Sequence, residues 1–224
     1  MRIVLRIGGS VVASPVNTNL ISKYAEIVQI LKSQSHKLAI VIGGGALPRE
    51  FIGIAKKLGL SEQSQDEVAI SVSRLFAELF LKTLGGMDCG KVALTLDEAM
   101  DCLGKDKILV MGGLKHGMTT DSVAALVAEF TKADLVVKGT DQDGIYTKDP
   151  RKHADAVKLD RMSFDELAGV FSENNHKAGI HQIIDPEAVK TLKRERVKLV
   201  VVNGFKPENI LAAVRGEGVG TVVE

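Results

Sequence analysis

KLAIVIGGGALPRE, residues 37–50, is an apolar run that stops on three glycines and then turns into a helical pattern. Glycine at a strand end permits φ > 0 and lets the backbone approach a ligand closely. A following helix presents free N–H groups and the positive end of its dipole, which favour phosphate. One such corner reads equally well as an ordinary turn, so the decision rests on whether other strands end the same way.

They do. MRIVLRIGGS (1–10) alternates along its length, with Ile3, Leu5 and Ile7 on one face and Arg2, Val4 and Arg6 on the other. It ends in Gly8 and Gly9, with Ser10 and Arg6 as further donors. KILVMGGLKHGMTTDS ends its apolar run at Gly112 and Gly113, with Gly117 before the next helix, and VVKGTDQDG does so at Gly139. Four glycine-ended strands, each on an alternating strand–helix unit, point to one ligand edge, because open parallel sheets bind ligands at the carboxyl ends of their strands.

The remainder of the chain fits that plan. NLISKYAEIVQILKS carries Leu20, Tyr24, Ile27 and Leu31 at helical spacing. Helices are expected in LPREFIGIAKKLG, in DEVAISVSRLFAELFLKTLG and near 97–103, 163–171 and 186–195. Others are expected in TDSVAALVAEFTKA, with Val123, Leu126, Val127 and Phe130 as its buried stripe, and in PENILAAVRG. KVALTL, VKLVVVNG and GTVVE read as further strands, and DGIYTKDP as a turn-rich connector. This alternation predicts an α/β fold, a three-layer αβα sandwich around a mostly parallel sheet, in one domain over 1–224.

Composition narrows the function. The 224 residues hold 29 basic and 28 acidic side chains, a net charge of +1, which calls for no nucleic-acid partner. No run of 18 apolar residues or leader pattern is present, so the expectation is a cytoplasmic protein without a membrane partner. Cys89 and Cys102 are expected to be structural thiols in a reducing compartment. His176 and His181 are five apart, a poor spacing for one helix face, so no zinc site and no other protein-bound metal is expected. GGMDCGKV (85–92) misses the P-loop pattern at Val92, and no strand precedes a G-x-G-x-x-G. KRER at 193–196 reads as a solvated helix face.

Taken together, IGGS (7–10), IGGGALPRE (42–50), MGGLKHGMTTDSVAA (111–125), TDQDGIYTKDP (140–150) and IIDPEAVKTL (183–192) resemble the amino-acid-kinase superfamily, and within it the archaeal-type uridylate kinases. The resemblance runs over essentially the whole chain. It implies transfer of a phosphoryl group from ATP to UMP, giving ADP and UDP, in pyrimidine nucleotide synthesis. The acceptor would occupy the N-terminal half and ATP the C-terminal half.

On that resemblance, Gly9 and Ser10 are donors to the ATP phosphates, and Gly45 and Arg49 also touch phosphate on the ATP side. Thr140, Tyr146 and Asp149 belong to the ATP segment, although Tyr146 alone reads as a packed ring and Asp149-Pro150 as a turn. Gly44, Asp66 and the segment Leu114, Lys115, His116, Gly117, Met118, Thr119 and Thr120 are assigned to UMP. Asp66 reads as well as the N-cap of the helix opened by SQDEV, and Thr119 and Thr120 as caps of theirs. Arg6, Lys138, Asp121 and Asp185 are the catalytic set, with Asp121 orienting the cations. Against this, Asp121 reads as a dipole-favoured helix start and Asp185 as a pre-proline turn.

A phosphomonoester has a second pKa near ~6, so the acceptor oxygen needs no general base, and the work left is charge neutralisation and alignment. Mg2+ is implied, bound mainly through the ATP phosphates. Many family members carry Lys where this chain has Arg6, and the two are not equivalent. Arg6 either clamps phosphate or pairs structurally while Lys138 carries the transfer. Truncating either to alanine is expected to lower kcat. The resemblance further implies a homohexamer and UTP as a competitive inhibitor. Isopentenyl phosphate kinase is disfavoured because no histidine follows the glycines at 43–45, and acetylglutamate and carbamate kinases by KHGMTTDS. A non-catalytic nucleotide sensor is disfavoured by the retained cations and carboxylates.

Overall fold

The alternating residues of Arg2–Ile7 (β1) are buried on both faces, Ile3, Leu5 and Ile7 to one side and Val4 to the other. Such a strand must lie inside a sheet with helices above and below. The computed structural model, which describes residues 1–173 and 183–224, shows this arrangement. In chain order, β1 is followed by α1 (Gly9–Val12), α2 (Thr18–Ser33), β2 (Lys37–Ile42), α3 (Leu47–Lys57), α4 (Glu62–Lys82) and α5 (Leu96–Gly104). Next come β3 (Leu109–Met111), α6 (Thr120–Thr131), β4 (Leu135–Thr140), β5 (Ile145–Tyr146), β6 (Lys158–Leu159) and β7 (Arg161–Met162). The chain closes with α7 (Phe164–Glu173), α8 (Pro186–Glu195), β8 (Lys198–Asn203), α9 (Glu208–Val214) and β9 (Thr221–Val223).

Among the described residues, seven strands form one sheet in the order β3-β2-β1-β4-β8-β9-β7, and β5 pairs with β6 apart from it. The β3, β2, β1, β4 and β8 neighbours are all parallel, and β9 runs antiparallel to β8. One face is covered by α2, α4 and α9, whose Tyr24, Leu31, Phe80 and Ile210 pack on Ile3, Leu5, Leu38 and Val137. The other is covered by α5, α6, α7 and α8, whose Cys102, Val127, Leu167 and Leu192 pack on Val4, Val41, Leu109 and Val136. The architecture is the expected three-layer αβα sandwich.

The glycine corners end on one rim, because β3, β2, β1 and β4 are contiguous and parallel. A fifth joins them that the sequence reading did not count: β8 ends at Gly204, whose N–H donates to the Thr140 carbonyl at 2.7 Å. Behind this rim Tyr24, fully buried, donates its hydroxyl to the Gly204 carbonyl at 2.9 Å. A Cβ on Gly139 would lie 2.7 Å from that hydroxyl.

Four local expectations are corrected. KVALTL is not a strand: Ala93 donates to the Val110 carbonyl, but the Thr95 hydroxyl caps α5 and draws Leu96 into the helix. Asp66 is not a cap, because α4 starts a turn earlier at Ser61, whose hydroxyl accepts from Ser64 N–H at 3.2 Å. Phe130 is 49% exposed, because the buried stripe of α6 centres on Val123, Ala124, Val127 and Ala128, which leaves Phe130 at its flank. The two thiols are not separate: Cys89 and Cys102 form a disulfide, their Cα atoms 5.7 Å apart. The segment after α4 folds back over α5 and brings Cys89 onto buried Cys102.

Closing so short a loop is worth about 3 kcal/mol. Reduction, or Cys102→Ser, is expected to lower Tm by roughly 5–10 °C in calorimetry, with little change at the cleft. The residues His176 and His181 lie outside the described residues.

Candidate active site

Arg6 in β1 and Lys138 in β4 are register partners, so the two cations stand abreast. They share the face of Val4 and Val136, the face on which α6 lies. Helix α6 starts from the same rim. Its cap is Thr119, whose hydroxyl accepts from Ser122 N–H at 3.1 Å, and Asp121 follows in the first turn. That carboxylate receives both cations, Arg6 Nε at 2.7 Å from Oδ1 and Lys138 Nζ at 2.5 Å from Oδ2. Arg6 Nη2 also donates to Thr120 Oγ1 at 2.8 Å. The Arg6 Nε and Asp121 Oδ1 atoms are sealed from solvent and sit at ion-pair distance without hydrogen-bond alignment.

Charge shapes the protonation of this triad. Burial pushes the Asp121 carboxyl up, but Arg6 and Lys138 more than reverse this and hold it below the usual carboxylate value. Burial pulls the Lys138 ammonium down, Asp121 opposes the pull, and the outcome is a pKa of about 8.

The backbone corners close around these side chains. Gly8 N–H donates to the Gly139 carbonyl at 2.9 Å, and Gly43 N–H to Ile7 at 3.1 Å. Gly45 has φ +71°, and Gly9 abuts it so closely that neither has room for a Cβ. Ser14 Oγ accepts from Ala46 N–H at 2.6 Å, tying the end of the first corner to the second. In front of them opens a cleft of about 810 Å³, at the upper end of small-molecule sites.

Most of the predicted residues line it: Arg6, Gly9, Ser10, Gly44, Gly45, Arg49, Asp66, Lys115, Gly117, Met118, Thr119, Thr120, Asp121, Lys138, Thr140, Asp149 and Asp185. Three stand off its walls. Leu114 packs against the α6-side core. His116 is exposed with Nδ1 3.4 Å from Asp66 Oδ2. Tyr146 is half-buried and pairs with Lys158 in the small sheet. Buried Asp149 accepts from the Arg151 backbone and Nε, each at 3.1 Å, and these bonds hold its carboxyl low. Asp185 caps α8 through Ala188 N–H at 2.9 Å and receives the hydroxyls of Thr119 and Ser122, so it buckles α8 to the start of α6.

The amino acid kinase family model matches residues 1–203. The chain belongs to the amino acid kinase family. A uridylate kinase of Methanocaldococcus jannaschii is 42% identical over 226 residues, covering all of both chains. The crystal structure of uridylate kinase from Archaeoglobus fulgidus superposes with a TM-score of 0.89 at 38% identity, again over all of both chains. A UMP kinase structure from Ureaplasma parvum shares the fold at 21% identity, with a TM-score of 0.80 over all of this chain and 98% of that one.

Within this amino acid kinase site, sequence reasoning missed several residues. Ser14 has a local signal, the Ser-Pro that ends the first corner, with its peptide bond cis. Asp141, Gln142 and Lys148, within the 140–150 segment assigned to ATP, and Arg151 just after it line the cleft beside Thr140 and Asp149. Ser73 lines it from α4, and Arg74 beside it bonds the loop at 113–114. On sequence both are ordinary helix residues.

Proposed function

We propose that the chain transfers the γ-phosphoryl group of ATP to the phosphate of UMP, releasing ADP and UDP, a step in pyrimidine nucleotide synthesis. The observation that carries this reading is the Arg6–Asp121–Lys138 triad at the middle of one continuous cleft. To one side lie Gly44, Asp66 and the loop of Gly113–Thr120, the acceptor side. To the other lie Thr140, Asp149 and Arg151, the donor side. The full-length relatives named uridylate kinase support the same assignment.

In this reading Asp121 holds the two cations apart from bulk water and aimed at the rim. Phosphate oxygens then compete for them, and the cations neutralise charge as it spreads over the transferring group. The corner amides and the start of α6 add fixed positive ends. Arg49, near the start of α3, is exposed and lines the cleft, and its planar guanidinium is suited by chemistry to clamp a phosphate. Among the described residues no cluster of three or more His, Cys, Asp or Glu is placed to hold a metal. Asp121, Asp149 and Asp185 are already engaged, so the chain's donor set fits a magnesium ion held chiefly by phosphate oxygens. Such an ion would supply neutralisation of the phosphate charge of ATP.

We extend the reading to assembly and regulation. Phe51 and Ile54 on α3, Leu58 at its C-cap, and Leu75 and Leu79 on α4 are exposed apolar residues suited to contact with other copies of the chain. A homohexamer is the expected assembly, measured by light scattering. UTP is expected to inhibit by competing with UMP. The chain is assigned to the cytoplasm, and no helix among the described residues is long and apolar enough to cross a membrane.

An ADP-release assay tests the core claim with UMP, CMP, dUMP and isopentenyl phosphate. UMP is expected to be the best acceptor. Turnover confined to isopentenyl phosphate, or none with any acceptor, rejects the reading. The pH profile tests the cation. Lys138 is charged below its pKa of about 8 and neutral above it. With ATP held well below its KM, the kcat/KM for UMP should therefore fall as pH rises through that value, since it then reports the enzyme free of both nucleotides. Lys138→Met should have little activity and no such limb.

A further inference from the structure

One face of α4 runs along the loop that follows β3, and the contacts between them are directional. Asp66, Ile70, Ser73 and Arg74 fall at helical spacing, so they form one stripe. Gly113 N–H donates to Ser73 Oγ at 2.7 Å, and Gly117 N–H to Asp66 Oδ2 at 2.9 Å. Arg74 Nε donates to the Gly113 carbonyl at 2.9 Å and Nη2 to the Leu114 carbonyl at 2.8 Å. The fit is close: a Cβ on Gly112 would lie 2.8 Å from Arg74 N and from Ser73 C.

Arg74 differs from its neighbours on this stripe. Ser73 and Asp66 accept from N–H groups, whereas the guanidinium donates to two successive carbonyls. The planar guanidinium fork is pre-organised to do this with two of its nitrogens at once. Those carbonyls lie immediately before Lys115, Gly117 and Met118, which line the acceptor side of the cleft. Arg74 itself is absent from the cleft lining. Its charge therefore goes to the shape of the loop and not to a phosphate.

We propose that Arg74 is a positioning residue that holds the loop from Gly112 to Met118 in its acceptor-binding shape and thereby sets acceptor affinity and base selection. This rests on the reading that the site takes UMP. Losing two charge-assisted bonds should raise KM for UMP roughly 10- to 100-fold in Arg74→Met. The kcat and the KM for ATP should change by no more than about twofold. The preference for UMP over CMP should shrink. Arg74→Lys keeps the charge and N–H donors but loses the planar fork, and should recover part of the loss.

Equal rises in both KM values, or an unchanged KM for UMP, overturn the proposal. A second readout does not need activity. Lys115 is a tryptic site inside the loop, and its cleavage in the nucleotide-free protein, followed by mass spectrometry, should be faster in Arg74→Met than in wild type. Equal cleavage rates overturn the proposal. If Arg74→Met does not fold, Arg74→Lys decides by the same two measurements. A wild-type protein inactive on UMP but showing the cleavage difference would reject the substrate assignment and keep the loop restraint.

Discussion

Asp121→Asn is expected to lower kcat on the order of 100- to 1000-fold, the range seen when one preorganised electrostatic group is removed from a reacting site. The side chain keeps its shape and loses its charge, so the effect isolates that charge. Asp121 receives Arg6 Nε at 2.7 Å and Lys138 Nζ at 2.5 Å, where the two side chains are 15% and 5% exposed. Without the carboxylate two buried cations face each other. Breaking a buried pair in this way costs about 3–5 kcal/mol, measurable by urea denaturation of wild type and variant. The sign of the pH effect follows. Asp121 is what raises the Lys138 pKa against burial and Arg6. Its removal lets that pKa fall further, so the basic limb of kcat/KM should move below about 8 and residual activity should rise on acidification. Wild-type turnover with an unmoved limb in Asp121→Asn would show that the carboxylate does not govern the cations.

The same triad shows what a sequence makes legible and what it hides. Arg6 is visible as the charged member of an alternating strand, and Lys138 as a charge at the end of an apolar one. Both facts are local. That the two side chains are register neighbours depends on β4 crossing back to lie beside β1, which no local pattern encodes. On sequence Asp121 is tied to the cations only by motif resemblance; in the fold its carboxylate pairs with both of them. The glycine corners were legible because glycine is chosen for backbone reasons that hold wherever the strand goes. Where a local rule had a competitor, it failed. Asp66 suits an N-cap, but Ser61 is available a turn earlier and Asp66 is left to bond the loop at Gly117. Phe130 suits a buried stripe, but three alanines let α6 sit on the sheet by another face. The Cys89–Cys102 pair and the Arg74 contacts are set by how loops fold back, which composition does not report.

Gly9→Ala should abolish activity and cost several kcal/mol of stability, because the contact it violates is backbone on backbone. A Cβ at Gly9 would lie 1.9 Å from Gly45 N, 2.5 Å from Gly45 Cα and 2.7 Å from Gly43 C. A flexible side chain would swing away, but these atoms cannot move without separating the β1 corner from the β2 corner. Gly45 is itself held at φ +71° with its own Cβ position 2.6 Å from Gly9 O. Both corners line the cleft beside Arg6 and Asp121, so a shift of about 1 Å there misaligns the phosphates and by itself costs on the order of 100-fold. Gly53→Ala is the control: it lies inside α3 with nothing within 4 Å of the new methyl group. That change should leave kinetics intact and add about 0.5–1 kcal/mol, since alanine is the better helix former. Normal Tm and turnover in Gly9→Ala would mean that the two corners do not touch in solution. The shared rim on which the kinase reading stands would then be lost.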